Sequence, residues 1–344
     1  MIVVIGSLNL DRTLVMERWP GPGETVSGLS FTESAGGKGG NVAAQAARLG
    51  GRTQFLGVTG RDSAAEIVRE SQRSAHVDLT WLTSLADVPT GTASIWVERP
   101  SGENRIVVVP GANARLDPAL VRDASSRGLF ETASCLVMNL EIPLSSVREG
   151  LAQAHARGVP VLLNRSPSAG IDSEELNSAD VLVVNLPEAV ELLDPRADSR
   201  PASFARGSPS PEVAYQVQAQ AAASALAART PAQVVVTAGA AGVATSGPRG
   251  EYALPSLRVR AQDTTGAGDA FLGALAFALD QGYDFLTELR VASLAGAHAV
   301  TKAGTLAAQA DWAALSRFAA EHGVNLPPAD VSVGGTAPGG PPAP

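Results

Sequence analysis

The segment Asp263-Thr264-Thr265-Gly266-Ala267-Gly268-Asp269-Ala270-Phe271 carries the clearest chemical potential in the chain, because it stands directly before an apolar run of helical character. Small residues at Gly266, Ala267 and Gly268 leave backbone amides accessible at a helix N-terminus. Unpaired N–H groups and a partial positive charge there favour an anion such as phosphate. Asp269 falls in the first turn of that helix. A carboxylate in this place either complements the helix dipole or takes a proton from a substrate hydroxyl while the amides hold a transferring phosphoryl group. The dipole lowers a carboxylate's pKa, so Asp269 is expected to be a weak base. A weak base is sufficient in a loose phosphoryl-transfer transition state, where the nucleophile loses its proton late.

A second glycine-rich segment, Ala35-Gly36-Gly37-Lys38-Gly39-Gly40-Asn41, also opens a helix. It is not a Walker loop, because Lys38 is followed by Gly39 rather than Ser or Thr and the required earlier glycine is missing. No dinucleotide fingerprint follows the first strand either, where Gly6 leads into Ser7-Leu8-Asn9. The glycines allow a polyhydroxyl ligand close to the backbone, with Lys38 and Asn41 supplying hydrogen bonds. Histidines 76, 155, 298 and 322 show no ligand spacing with one another or with Cys135, which disfavours a zinc site.

These residues must be held by a fold, and 344 residues suit one large α/β domain with an appendage, or two domains of roughly 150 residues each. A hydrophobic share of 45% with 17% charged residues excludes a wholly disordered chain. The formal charge of −8 disfavours nucleic acid and anionic membrane as partners and leaves a small molecule as the expected ligand. The lone Cys135 precludes an intrachain disulfide. Met1 to Gly6 has no basic leader region, and the apolar run Ala270 to Leu279 is too short to span a bilayer, so a cytoplasmic protein is expected.

Short apolar runs at Ile2 to Ile5, Cys135 to Met138, Val159 to Leu163, Val181 to Val184 and Val234 to Val236 read as buried strands. Helices are expected at Gly40 to Leu49, Ser145 to Ala156, Pro187 to Leu193, Glu212 to Ala228, Ala267 to Leu279 and Phe285 to Thr301. Such alternation predicts an α/β fold with a mainly parallel central sheet flanked by helices. Thr25 to Glu33, Thr92 to Glu98 and Arg105 to Val109 interrupt the rhythm and read as antiparallel strands of a small β lid, formed by approximately 10–33 and 90–110. Residues 194–211 are expected to form an exposed loop, and the Pro/Gly-rich stretch 327–344 a disordered tail beyond a 1–326 domain.

The order and spacing of Gly6-Ser7-Leu8-Asn9-Leu10-Asp11, Gly36-Gly37-Lys38-Gly39-Gly40-Asn41, Gly111-Ala112-Asn113, Leu140-Glu141, Asn185-Leu186-Pro187-Glu188 and Asp263 to Asp269 resemble the ribokinase-like (PfkB) carbohydrate kinases. The likeness spans roughly residues 1 to 320. It implies ATP-dependent phosphorylation of a sugar hydroxymethyl group, with D-ribose and its 5-hydroxyl as the first expectation. A nucleoside, fructose or 2-keto-3-deoxygluconate kinase and a non-catalytic sugar sensor are the alternatives.

The same resemblance implies that Asp269 is the catalytic base and that Gly266, Ala267 and Gly268 form the anion hole. Asn9, Asp11, Gly37, Lys38, Gly39, Asn41, Glu141 and Asp269 would hold the sugar, Asp11 as a bidentate acceptor for a vicinal diol. Asn185 and Glu188 would organise magnesium and phosphate through water. Thr237, Ala238, Gly239, Ala240, Ala241 and Gly242, with Gly268 and Ser293, would hold the nucleotide. Asp263, Thr265, Ala299, Lys302 and Gly304 fall where the family binds an activating potassium ion, although Ala307 and Ala308 replace a hydroxyl residue that often completes that site. Asn164-Arg165-Ser166-Pro167 departs from the family's Asn-Pro-Ala-Pro, and Arg165 receives no role from the resemblance. The lid is expected to close over the sugar, with Ala93 and Ile95 on one strand face, and to pair with a second subunit as a homodimer.

Overall fold

The structure, a computed structural model, describes residues 1–167, 176–194, 196 and 211–329. Most of the expected loop at 194–211 and of the tail at 327–344 lies outside the described residues.

The first strand explains the layering. All four residues of β1 (Ile2–Ile5) are buried, and successive side chains leave on opposite faces. Ile2 and Val4 pack with Val42, Phe271, Leu275 and Leu289 on one side, whereas Val3 and Ile5 pack with Val121, Val147 and Leu151 on the other. A strand without a polar face is stable only where helices cover both sides, which is the situation that its unbroken β-branched run specifies.

Four strands form the small sheet: β2 (Asn9–Met16), β3 (Gly28–Gly36), β6 (Gly91–Glu98) and β7 (Asn104–Val109). The large sheet comprises β1 with β4 (Thr53–Thr59), β5 (Leu82–Ser84), β8 (Cys135–Met138), β9 (Val161–Asn164), β10 (Val181–Asn185), β11 (Gln233–Thr237), β12 (Val243–Ser246) and β13 (Tyr252–Leu254). Its order is β13-β12-β11-β10-β9-β8-β1-β4-β5, parallel throughout except that β12 runs antiparallel to both neighbours. The expected mainly parallel sheet and separate β lid are therefore both present.

Each of the six helices expected from the sequence exists with ends shifted by at most two residues, as for Lys38–Arg48, Leu144–His155 and Ala267–Asp280. The described residues add three longer helices at Ser63–Ser74, Pro118–Ser126 and Trp312–Glu321, besides the single turn Thr305–Ala308. Each of the three longer helices has an aspartate N-cap, at Asp62, Asp117 and Asp311, whose side chain accepts a backbone N–H of the first turn. Among the described residues, no helix is long and apolar enough to cross a membrane.

The lid is built differently from two simple hairpins. Its order is β3-β2-β6-β7, and the central pair β2 and β6 runs parallel, Asp11 beside Ala93 and Thr13 beside Ile95. A parallel pair needs a long crossover, and here the intervening chain makes β3, the Lys38–Arg48 helix, β4, the Ser63–Ser74 helix and β5 before returning. Asp11 thus shares a face with Ala93 and Ile95, as alternation along paired strands requires.

Candidate active site

β1 is hydrogen-bonded to β4 on one side and β8 on the other, and the chain reaches these neighbours in opposite directions along the sheet. Parallel sheets bind ligands at such a reversal, in the crevice beyond the carboxyl ends of the strands. Residues after β1 and after β8 meet there. The Ser7 hydroxyl donates to Glu141 Oε2, and the Lys38 backbone N–H donates to the same oxygen at 3.0 Å. This contact needs the helix start to approach β1 closely: a Cβ on Gly39 would lie 2.7 Å from the Gly6 Cα. The glycines of the Ala35 to Asn41 segment therefore serve a packing requirement as well as ligand access.

Asn9 is 3% exposed at the start of β2. Asn113, also buried, donates from Nδ2 to Asn9 Oδ1 (2.8 Å) and to the Leu8 carbonyl (3.0 Å), while its Oδ1 accepts the Leu8 N–H (3.0 Å). The Asn9 oxygen is thereby occupied, leaving its amide hydrogens as donors. In the sequence Asn113 stands only as part of the Gly111-Ala112-Asn113 segment; its bracing role depends on tertiary placement 104 residues from Asn9.

Asp269 is 7% exposed in the first turn of the Ala267–Asp280 helix, and Asn41 Nδ2 donates to its Oδ2 at 2.7 Å. Two helices must cross closely for this, and Gly273 permits it, since a Cβ there would lie 2.6 Å from the Val42 carbonyl. Gln309 Nε2 holds the Asn41 carbonyl at 2.7 Å from the far side, a contact that no motif signals. The expectation that Asp269 is a weak base is corrected here. Burial raises its pKa above the ordinary carboxylate range, against the opposing pull of the Lys38 ammonium and the Asn41 amide.

Charges converge around Lys38. Burial works to lower its pKa, but the carboxylates of Asp269, Glu141 and Glu188 outweigh that and hold it protonated. Asp11 is pushed up to about 7, first by burial and then by Glu141 and Asp269. The crevice is therefore rich in carboxylate acceptors balanced by one ammonium, a surface that suits a neutral ligand bearing several hydroxyl donors.

The anion-binding end lies next to this cluster. Gly266 is the left-handed N-cap of the helix, with φ of 75°. A Cβ there would meet Thr305 Cγ2 at 2.3 Å, so glycine is required on both conformational and steric grounds. The first regular helical bond runs from the Ala270 N–H to the Gly266 carbonyl, which leaves the Gly268 N–H among the donors that a helix start does not use. A Cβ on Gly268 would meet no atom within 4 Å beyond its chain neighbours and its own helix backbone. The Ala267 N–H makes only a long bond, 3.3 Å, to the Thr264 carbonyl.

Asp263 ties this loop to the one after the Phe285–Ala299 helix: its carboxylate accepts the N–H groups of Thr265 and Gly304, each at 2.9 Å. Lys302 N–H reaches the Ala299 carbonyl at 3.2 Å. Asp263, Thr265, Ala299, Lys302 and Gly304 are thus gathered at one place, where two loops are tied together by the Asp263 carboxylate.

Asn185 and Glu188 form a reciprocal capping box at the start of the Leu186–Leu193 helix. Glu188 N–H donates to Asn185 Oδ1 at 2.8 Å, and Asn185 N–H donates to Glu188 Oε2 at 2.9 Å. Burial raises the Glu188 pKa, opposed by the Asn185 amide, the Ser166 hydroxyl, Lys38 and Arg165. Among the described residues, no group of three or more His, Cys, Asp and Glu side chains is arranged to hold a metal ion. Magnesium at Glu188 would thus draw most of its ligands from phosphate and water, which its chemistry favours.

Residues Thr237 to Gly242 leave the end of β11 through the turn Gly239–Ala241, and a Cβ on Gly239 would meet no atom within 4 Å beyond its chain neighbours and the adjacent backbone. Ser293 is half-buried on the Phe285–Ala299 helix, three residues before Gly296, whose position packs against the Ala267 carbonyl. The residues expected on the nucleotide side therefore come from β11 and this helix, while those expected on the sugar side come from β1, β2, β8 and the Lys38–Arg48 helix.

Comparison with known proteins places the fold among carbohydrate kinases. A ribokinase of Haemophilus influenzae is 33% identical over 303 residues, 88% of this chain and 93% of its own length. The solved ribokinase of Thermotoga maritima superposes with a TM-score of 0.77 at 27% identity, covering 92% of this chain and 98% of that one. A ribokinase of Arabidopsis thaliana complexed with ribose and ATP superposes with a TM-score of 0.75 at 28% identity, covering 92% and 97%. The model of the pfkB family carbohydrate kinases matches residues 1–312. A parallel sheet with a β lid, a buried aspartate at a glycine-opened helix start and this match along nearly the whole described chain lead to one conclusion: the protein belongs to the pfkB family of carbohydrate kinases.

Proposed function

We propose that the protein is an ATP-dependent ribokinase that phosphorylates the 5-hydroxyl of D-ribose. The observation that carries the reading is the placement of buried Asp269 between a free helix N-terminus and a pocket of hydroxyl acceptors and donors, Asn9, Asp11, Asn41 and Glu141. Its support from relatives is the recurrence of ribokinases at 30–35% identity over most of the chain. Asp11 accepts two hydroxyl groups of a vicinal diol, Asn9 and Lys38 donate to the sugar, and Gly37 and Gly39 keep the backbone close to it. Asp269 takes the proton of the 5-hydroxyl as its oxygen forms a bond to the γ-phosphorus and the bond to the ADP leaving group breaks. Amides at Gly266, Ala267 and Gly268 hold the oxygens of the phosphoryl group in line. The raised pKa of Asp269 improves it as a proton acceptor.

Magnesium, held by Glu188 and Asn185 through water, supplies positive charge to the phosphates when bound. Thr237 to Gly242 and Ser293 cradle the nucleotide, and the Asp263 loop, with Thr265, Ala299, Lys302 and Gly304, accommodates potassium and keeps the anion-binding turn in place. A homodimer through the lid is supported by exposed apolar side chains there, among them Phe31 at 56% and Val107 at 62%. The setting is cytoplasmic, where ATP is available and the buried thiol of Cys135 stays reduced.

Incubation with ATP, magnesium and ribose is expected to yield a phosphomonoester on C5, visible as a phosphorus resonance coupled to two methylene protons; phosphate on the anomeric carbon would refute the assignment. Asp11 gives a pH test. Its carboxylate form is the one that accepts the diol, and its pKa of about 7 means that the free enzyme loses this form as pH falls. The KM for ribose is expected to rise up to about tenfold per pH unit below 7. The raised pKa also means that ionised Asp11 opposes folding above pH 7. Asp11→Asn should therefore raise the melting temperature at pH 8 more than at pH 5 while weakening ribose binding.

A further inference from the structure

Arg165 departs from the family pattern and has no place in the account above. It follows β9 on the same carboxyl edge as the active site. Its backbone is fixed there: Arg165 N–H donates to the Val183 carbonyl at 3.1 Å, and the next residue's carbonyl accepts the Leu140 N–H at 3.1 Å. The side chain is only 7% exposed. Its Nε and Nη1 have no hydrogen-bond acceptor among the described residues. Glu191 Oε2 lies 3.9 Å from Nη1, beyond hydrogen-bond reach, and that glutamate is 44% exposed. A buried guanidinium with two unanswered donors is costly; the other unpartnered buried polar atoms among the described residues are the amide oxygens of Asn41, Gln45, Gln72 and Gln309, so Arg165 is the one charged group among them.

The order of strands indicates what answers it. Along the sheet edge the sequence is β1, β8, β9, β10, β11. Sugar-side residues follow β1 and β8, Glu188 follows β10, and the nucleotide loop follows β11. Arg165, after β9, stands between the acceptor and the nucleotide, one strand spacing of about 4.8 Å from the Glu141 segment. Electrostatics agree with that position, since Lys38 and Arg165 both stabilise the Glu188 carboxylate and Lys38 also stabilises that of Asp269. The group passing between nucleotide and sugar is an oxyanion, and a guanidinium fork matches two phosphoryl oxygens at once.

We propose that Arg165 contacts the γ-phosphoryl group of the bound nucleotide and holds it between the nucleotide loop and Asp269. The inference rests on the kinase reading of the site. Binding of MgADP and of magnesium with the non-hydrolysable analogue AMP-PNP to the full chain, measured by calorimetry, distinguishes its parts. Arg165→Gln is expected to weaken AMP-PNP by about tenfold or more and MgADP by less than about threefold, with Arg165→Lys intermediate. Glu191→Gln, which removes only the distant carboxylate, is expected to leave both affinities unchanged.

Equal weakening of the two nucleotides by Arg165→Gln, no weakening of either, or the same loss in Glu191→Gln overturns the proposal. A measurement on the wild-type chain covers a variant that does not fold. With 15N-labelled arginine, a buried guanidinium Nε–H resonance should shift on adding AMP-PNP and stay in place with MgADP; no such differential shift also overturns it. Sugar phosphorylation by the wild type reports separately on the kinase reading, so an active enzyme with indifferent Arg165 variants removes this inference alone.

Discussion

Asp269→Asn is expected to lower kcat by about 10²–10⁴-fold while ribose binding changes only a few-fold. Asparagine keeps the shape and an oxygen that can accept the Asn41 Nδ2 hydrogen bond, which is 2.7 Å long in the wild type. It cannot take the proton of the attacking hydroxyl. The loss corresponds to about 3–5 kcal/mol of transition-state stabilisation. Removing a buried charge whose pKa burial has raised should leave folding intact, or improve it at any pH where the wild-type Asp269 is ionised. Steady-state kinetics with ribose and MgATP, together with a thermal melt of the same sample, separate the two effects. A kcat within about threefold of wild type would mean that the proton leaves without Asp269.

Gly268→Val is the complementary case, because it acts on the phosphoryl group and not on the proton. Apart from its chain neighbours and the adjacent backbone of its own helix, no atom lies within 4 Å of a Cβ at this position, so the new side chain projects into open space. Valine is also no worse than glycine as a helix residue, and the change in stability should stay within about 1 kcal/mol. Yet its methyl groups would occupy the space in which phosphoryl oxygens must come within about 3 Å of the amides. The expected result is a melting temperature near that of the wild type with kcat/KM for ATP reduced about 10²–10³-fold. Near wild-type kinetics would show that the anion sits elsewhere. The contrast with Gly266 is instructive, since its left-handed backbone and its 2.3 Å approach to Thr305 make any substitution there a test of folding as well.

Much of the site was legible in the sequence because its parts are contiguous. Gly266 to Asp269 and Gly36 to Asn41 each combine a turn and a helix start in a few residues, and local rules read such units directly. The strand and helix alternation likewise follows from unbroken runs such as Ile2 to Ile5 and Val181 to Val184. Features set by distant partners were not legible. Asn113 braces Asn9 across 104 residues and Gln309 braces Asn41 across 268, with no spacing signal in either case. The direction of the Asp269 shift depends on burial, which only packing determines, so helix-dipole reasoning alone gave the opposite sign. Strand β2 was hidden by the charged pair Asp11-Arg12, which breaks the apolar pattern but is accommodated in a lid with one face toward the ligand crevice and one outward. Glu188 combines both readings, closing a capping box while remaining within electrostatic reach of Lys38 and Arg165.

The most direct test of the whole account is the ranking of kcat/KM by ATP consumption with magnesium and potassium across ribose, 2-deoxyribose, fructose, adenosine, inosine and 2-keto-3-deoxygluconate. The account predicts ribose first, with 2-deoxyribose behind it because Asp11 loses one of its two hydroxyl donors. A nucleoside or a larger sugar acid in first place would contradict the assignment of Asn9, Asp11 and Glu141 to ribose, and no turnover with any of the six would contradict the assignment of Asp269 as a working base.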